Sequence, residues 1–320
     1  MGGALLGIDM GGTTTKLGLF SREGNLCAKS DFVTRSTSDP RCFPALAQAL
    51  DALLESCGGA CRDIVALGIA VPAVVDTAGL LGLCTNIDLD LESYTSFLAS
   101  SFPGASFAVL NDASAAAKGE AWRGAAVGVD DFILVTLGTG IGAGIVVGGT
   151  SLGGAHGAAG EIGHLRVCFT ETEVCGCGQR GCLEQYASAT GVVRMARRLL
   201  RDTSKAPSSL ACVDDLTAKE VFDHARAGDA LAEAVVGDFA EALGFGLAQI
   251  SCVFDPSLIV IGGGMSASAS FYLPALTAAY CRHALSVCAQ TPLVAAHLGN
   301  DCGIYGAALH ALKALESDFL

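Results

Sequence analysis

Few residues of this chain carry charge, and those that do are mostly acidic: 16% of its 320 residues are Asp, Glu, Lys or Arg, with a formal net charge of −13. The basic footprint that grips a nucleic-acid backbone is therefore missing, which excludes nucleic acid as the expected partner. A small anion stays open, because backbone amides and helix ends hold phosphate without help from basic side chains. Also missing is any run of 18 or more apolar residues free of polar interruption, although 51% of the residues are hydrophobic. No membrane-spanning helix is expected, and no membrane partner. Met1–Gly12 has no basic segment and reaches an acid at Asp9, so no export signal is read there and the expected compartment is the cytosol. Neither G-x-x-x-x-G-K-[ST] nor C-x-x-C occurs, which removes the Walker phosphate loop and the thioredoxin-type redox site. No low-complexity linker interrupts the chain, and the apolar content rules out disorder and suffices for one large or two core-forming domains.

What is present in quantity is glycine, 41 residues, and cysteine, 14. The glycines cluster at Gly11-Gly12, Gly138 to Gly149, Gly153-Gly154 and Gly262 to Gly264, a pattern that lets backbone turn tightly or approach a ligand. Leu5 to Asp9, a glycine turn and Lys16 to Phe20 read as strand, turn, strand. Phe132 to Leu137 and Ile141 to Val147 repeat the pattern around Gly-Thr-Gly. Buried-type strands are expected at 64–71, 107–110 and 258–261. Helices are expected at 46–54, 113–122, 189–201, 217–227, 231–254, 271–285 and 303–315, with Asp112 as N-cap of the second. Two glycine hairpins, each followed by mixed α/β, indicate a duplicated architecture that turns over near Asn111, with a ligand cleft between two lobes.

The first turn, "GIDMGGTTTK" (Gly7 to Lys16), offers amides and hydroxyls to oxyanions. Asp9 at its strand end suits a Mg²⁺ ion, while Lys16 lies one strand later. "GTGIGA" (Gly138 to Ala143) matches a dinucleotide fingerprint and has Glu161 about 20 residues on. That reading is rejected, because the fingerprint must open a helix and Ala143 to Val147 is strand-like; a second phosphate turn fits better. "NDASAA" places Asn111 and Asp112 at a strand-to-helix junction, where Asp112 is either a cap or a general base. "GEIGH" puts Glu161 and His164 three apart, on one side of any helical turn. Eleven cysteines are scattered and read as small buried hydrophobes. The exception is "CGCGQRGC", in which Cys175, Cys177 and Cys182 supply three of four zinc ligands, with His164 or Cys168 as the fourth. Such a closed site is structural, and it would anchor a polar wall of Glu161 and Glu184.

Together these motifs resemble the ROK family of sugar kinases, within the actin-like ATPase superfamily. "GIDMGGTTTKLGLF" and "VTLGTGIGAGIVVGG" resemble its two phosphate motifs, "NDASAAAKGE" its catalytic segment, "GAAGEIGHLRV" with "CGCGQRGCLEQYAS" its signature, and "DPSLIVIGGGMS" its adenosine motif. The resemblance covers nearly the whole chain. It implies an α/β fold of two ribonuclease-H-like lobes, one of residues 1–111 plus about 303–320 and one of residues 112–302, closing on sugar and ATP. It implies ATP, Mg²⁺ and structural Zn²⁺ as cofactors, and a homodimer or homotetramer. Asp112 would be the catalytic base. Asn86, Asn111, Asp112, Glu161, His164 and Glu184 would meet the sugar. Asp9, Gly11, Gly12, Thr13, Thr14, Lys16, Gly138, Thr139, Gly140, Gly262, Gly263 and Gly264 would serve the nucleotide, and His164, Cys175, Cys177 and Cys182 the zinc. The implied activity is an ATP-dependent kinase acting on the 6-hydroxyl of glucose or a related hexose, with N-acetylmannosamine, N-acetylglucosamine, fructose or allose as alternatives. There are two departures: "VPAVVD" (Val71 to Asp76) lacks the usual glycine after proline, and Asn86-Ile87-Asp88-Leu89 is not followed by tryptophan, which leaves the hexose open. A sugar-sensing repressor of the same family would carry a DNA-binding segment ahead of the first motif, which here starts at Leu5. A nucleotide-switched interaction protein would not need the polar wall.

Overall fold

The computed structural model of the protein describes residues 3–58, 63–75, 81–84, 88–202 and 207–317. In chain order the first elements are β1 (Ala4–Met10), β2 (Thr14–Ser21), β3 (Leu26–Val33), α1 (Cys42–Ser56), β4 (Ile64–Val71), the small pair β5 (Ala73–Val75) and β6 (Leu81–Cys84), α2 (Leu91–Ser101), β7 (Ser106–Asn111) and α3 (Asp112–Arg123). Next come β8 (Phe132–Leu137), β9 (Ile141–Val147), β10 (Thr150–Ser151), α4 (Glu184–Ala187), α5 (Ala189–Leu200), α6 (Ala218–Arg226), α7 (Ala230–Phe254), β11 (Leu258–Gly262), α8 (Ala269–His283), β12 (Leu293–Ala295) and α9 (Cys302–Ser317). The larger strands form two five-stranded sheets, ordered β3-β2-β1-β4-β7 and β10-β9-β8-β11-β12. In the first, β1 is antiparallel to β2 and parallel to β4, which is parallel to β7.

Both faces of the first sheet are covered, so its central strands are apolar almost throughout. Alternation sorts their side chains. Leu6, Ile8 and Met10 join Leu46, Leu50 and Leu53 of α1 and Leu98 of α2, while Leu5 joins Ile304, Ala308 and Ala311 of α9. The glycines of the α9 face let that helix lie directly on the sheet. A β-carbon at Gly68 would sit 1.8 Å from the Ala307 carbonyl oxygen.

Chain contacts divide the protein into two compact units, Met1–Gly128 with Gly144–Ala159 and Asn300–Leu320, and Val129–Ala143 with Gly160–Gly299. The boundary read from the sequence, after Asn111, falls just before α3; the first unit runs on through α3, which packs against α9. The second unit holds an aromatic core of Phe222, Phe239 and Tyr272, with ring centroids 5.1–5.7 Å apart. Among the described residues no helix is long and apolar enough to cross a membrane.

One cap differs from the sequence expectation. Asn111, not Asp112, caps α3: its side chain accepts from the Ser114 amide at 3.1 Å, and Asp112 is the first helical residue. Asn111 can do this because it still has the extended backbone of β7, as an N-cap requires.

Candidate active site

In the first unit the expected residues gather at one edge of the sheet. β1, β4 and β7 run in parallel, and their registers pair Asp9 with Ala70 and Val71 with Asn111. Asp9, Asn111 and Asp112 thus lie at the carboxyl ends of parallel strands, where open α/β sheets bind ligands. The Asn111 amide group donates to the Ala73 carbonyl at 3.2 Å and to Asp112 Oδ1 at 3.1 Å. The Ala113 amide donates to the same Oδ1 at 2.8 Å, which orients the carboxylate.

The first glycine turn closes with the Gly11 amide donating to the Thr14 carbonyl at 3.1 Å. Thr34 braces it from beyond β3: its hydroxyl donates to Gly11 O at 2.7 Å and its amide to Thr13 O at 2.9 Å. Nothing among the described residues accepts from the amides of Gly12 and Thr13, which leaves two consecutive donors for a ligand. Lys16 sits across the hairpin from Asp9 and donates to the Asn300 carbonyl. Asp9 lies against Gly303 at the start of α9, where a β-carbon would come within 2.3 Å of its Oδ2. Burial pushes the Asp9 carboxyl up to about 6 against the pull of Lys16, with Asp301 adding to the rise. A hard carboxylate short of positive compensation fits a divalent cation.

In the second unit β8 and β11 are parallel, with Thr136 opposite Gly262. Their carboxyl ends deliver the Gly138–Gly140 turn and Gly262–Gly264 side by side. Gly263 has φ of +80°, and a β-carbon there would meet the Leu137 carbonyl oxygen at 2.5 Å. The turn closes through the Gly138 amide on Gly140 O at 3.0 Å. The start of α5 secures it: the Ala189 amide donates to Gly138 O and the Thr190 hydroxyl to Thr139 O, both at 2.8 Å. Glu184 Oε2 accepts from the Ile141 amide at 3.0 Å. Again two consecutive amides, those of Thr139 and Gly140, have no acceptor among the described residues.

The same unit assembles His164, Cys175, Cys177 and Cys182, whose ligand atoms all lie within 4.8 Å of one another. Cys177 and Cys182 sulfurs are 3.6 Å apart, and Cys175 Sγ is 3.9 Å from His164 Nδ1. A tetrahedron with Zn–S bonds of about 2.3 Å has edges of about 3.8 Å, so the donor set and its spacing fit zinc. The rival ligand Cys168 is outside this group and contacts the Thr170 hydroxyl at 3.5 Å. Glu161 precedes the 3₁₀ turn Ile162–His164 and comes within 3.9 Å of His164 Nε2, the face away from the cysteines. A carboxylate on the distal nitrogen is the usual support of a metal-binding imidazole.

Two supports of the cysteine loop carry no motif in the sequence. Glu171, almost fully buried, accepts from the Tyr186 hydroxyl at 2.6 Å, its neighbours' amides at 2.9 and 3.0 Å, and the Arg194 guanidinium at 3.0 Å. Gln185 Oε1 accepts from the amides of Gly181 and Cys182 at 2.8 and 3.1 Å. Acid–base spacing along helices cannot reveal such a hub, because its partners converge from a loop and two helices. Asn86 lies outside the described residues.

Comparison with known proteins places the chain in a family. A glucokinase of Halalkalibacterium halodurans is 36% identical over 315 residues, covering 94% of this chain and 92% of that one. An N-acetyl-D-glucosamine kinase of Yersinia pseudotuberculosis is 29% identical over 313 residues, covering 94% and 97%. The crystal structure of a ROK family glucokinase from Streptomyces griseus in complex with glucose and AMPPNP superposes with a TM-score of 0.81 at 34% identity, covering 97% of this chain and all of that one. The ROK family model matches residues 5–314, and the chain belongs to the ROK family.

Proposed function

We propose that the protein is an ATP-dependent hexose kinase that transfers the γ-phosphoryl group of ATP to the 6-hydroxyl of glucose or a closely related hexose. The observation that carries this reading is Asp112, relieved of helix capping by Asn111 and oriented by two donors to one oxygen at the strand edge. Asp112 takes the proton of the sugar hydroxyl as that oxygen attacks the γ-phosphorus. The bond from the γ-phosphorus to the β–γ bridging oxygen breaks, and ADP leaves. The two glycine turns hold the phosphates through the amides of Gly12, Thr13, Thr139 and Gly140, with Gly11, Thr14 and Lys16 completing the first turn and Gly138 the second. Gly262, Gly263 and Gly264 approach the adenosine. Asn86, Asn111, Glu161, His164 and Glu184 take the sugar hydroxyls. Asp9 would hold Mg²⁺, which would supply positive charge for the phosphates. Zinc on His164, Cys175, Cys177 and Cys182 is structural. The protein works in the cytosol as a homodimer or homotetramer. Among the described residues no cysteine is in a disulfide, which fits that compartment, and exposed Val253, Leu285 and Val287 support a further apolar contact.

An N-acetylhexosamine is the second reading, supported by the Yersinia relative. The deciding experiment is ADP release from Mg·ATP over a panel of hexoses and N-acetylhexosamines. One sugar with saturable turnover and kcat/KM far above the rest names the substrate. A flat panel from zinc-replete protein would remove the kinase reading and leave a non-catalytic sugar sensor.

A further inference from the structure

We propose that Glu184 is a positioning residue for the nucleotide: it links the cysteine–histidine cluster to the second glycine turn and holds that turn in phosphate-binding form before any sugar arrives. A sugar ligand would need only a carboxylate facing the sugar. Glu184 is in addition held within its own unit, through Oε2. Oε2 accepts from the Ile141 amide at 3.0 Å, and Oε1 lies 4.0 Å from Cys175 Sγ. Its backbone carbonyl accepts from the Ser188 amide at 3.3 Å and hydroxyl at 2.7 Å, immediately before α5. α5 is the helix whose first residues secure Gly138 and Thr139.

The contact decides which donors the turn presents. It occupies the Ile141 amide, while those of Thr139 and Gly140 have no acceptor among the described residues. A carboxylate at a phosphate turn would repel its ligand, and a backbone donor on the nearer oxygen tempers that charge. Gly140 is part of the same device. A β-carbon there would lie 2.3 Å from Glu184 Oε2, so a side chain at this position would push the carboxylate off its present contact.

This inference rests on the reading of the second turn as a phosphate cradle, and the test separates the two. Binding of AMPPNP with Mg²⁺ is measured calorimetrically without sugar, on zinc-replete wild type, Glu184→Ala and Glu184→Gln, with zinc content determined for each. The expected result is an affinity about tenfold or more weaker in Glu184→Ala, equivalent to losing one hydrogen bond to a charged group. Zinc should be retained. Glu184→Gln should stay within about threefold of wild type, because its amide oxygen can accept from Ile141. Equal nucleotide affinity in wild type and Glu184→Ala overturns the proposal and leaves Glu184 to the sugar alone. So does a Glu184→Gln as weak as Glu184→Ala, or loss of zinc from Glu184→Ala, which would make the residue a support of the metal loop. No AMPPNP binding by wild type overturns the cradle reading and this inference with it.

Discussion

Single residues decide the chemistry here through their neighbours. Asn111 and Asp112 are adjacent and nearly isosteric, yet Asn111 caps the helix, because only it retains the strand backbone, and Asp112 is the residue proposed above as general base. Asp112→Asn should therefore lower kcat by about 10²–10⁴, the usual contribution of a general base. Sugar affinity should survive, as steady-state rates and equilibrium sugar binding will show. Glu171 has a different task. Burial pushes its carboxyl up, but the Tyr186 hydroxyl, the Glu173 amide and Arg194 together outweigh it and hold the group down at about 2. A depressed folded-state value means stability fully present above the ordinary 4.5 and lost as pH falls from there towards 2. The shift corresponds to roughly 3 kcal/mol. Glu171→Gln should lower the melting temperature at pH 7 and flatten the pH dependence of stability between about 4.5 and 2, measured by thermal melts across that range.

At the scale of elements, the glycines of the first sheet are as informative as its apolar residues. α9 lies on β1 and β4 with its backbone against theirs, since Gly7 and Gly68 leave no side chain between them. Gly68→Ala would press a methyl group into the Ala307 carbonyl. It should cost about 1–3 kcal/mol or more by overpacking, seen as a lower denaturant midpoint with an unchanged m-value. The helices and buried strands were legible because they are long and strongly patterned: α7 was expected at 231–254 and runs Ala230–Phe254. β3 carried no such signal. Its residues alternate between half-buried and exposed at the sheet edge, and its sequence LCAKSDFV has charged residues on the solvent side.

For the whole molecule, the cysteine loop proposed to hold zinc is the clearest point of vulnerability. It has little regular structure of its own, only isolated bridges pairing Arg166 with Cys182 and Val174 with Arg180. Metal binding to such a loop is coupled to its folding. One zinc per chain is expected by elemental analysis. Cys175→Ser or prolonged chelation should release it and lower the melting temperature by several degrees, with kcat/KM falling alongside because His164 and the nearby Glu184 lose their anchor.

What the sequence determined by itself was the set of chemical parts. Glycine turns, the Asn-Asp pair, the cysteine spacing and the order of strands and helices are local features, written in residue types and in periods of two and 3.6. The tertiary structure decided how those parts are shared. It chose His164 over Cys168 as neighbour of the three cysteines, moved the cap from Asp112 to Asn111, and turned Glu184 onto the amide of Ile141. Each choice depends on groups far apart in the chain, or on a backbone conformation one residue wide, meeting at hydrogen-bond or metal-ligand distance. No spacing along the sequence encodes that distance.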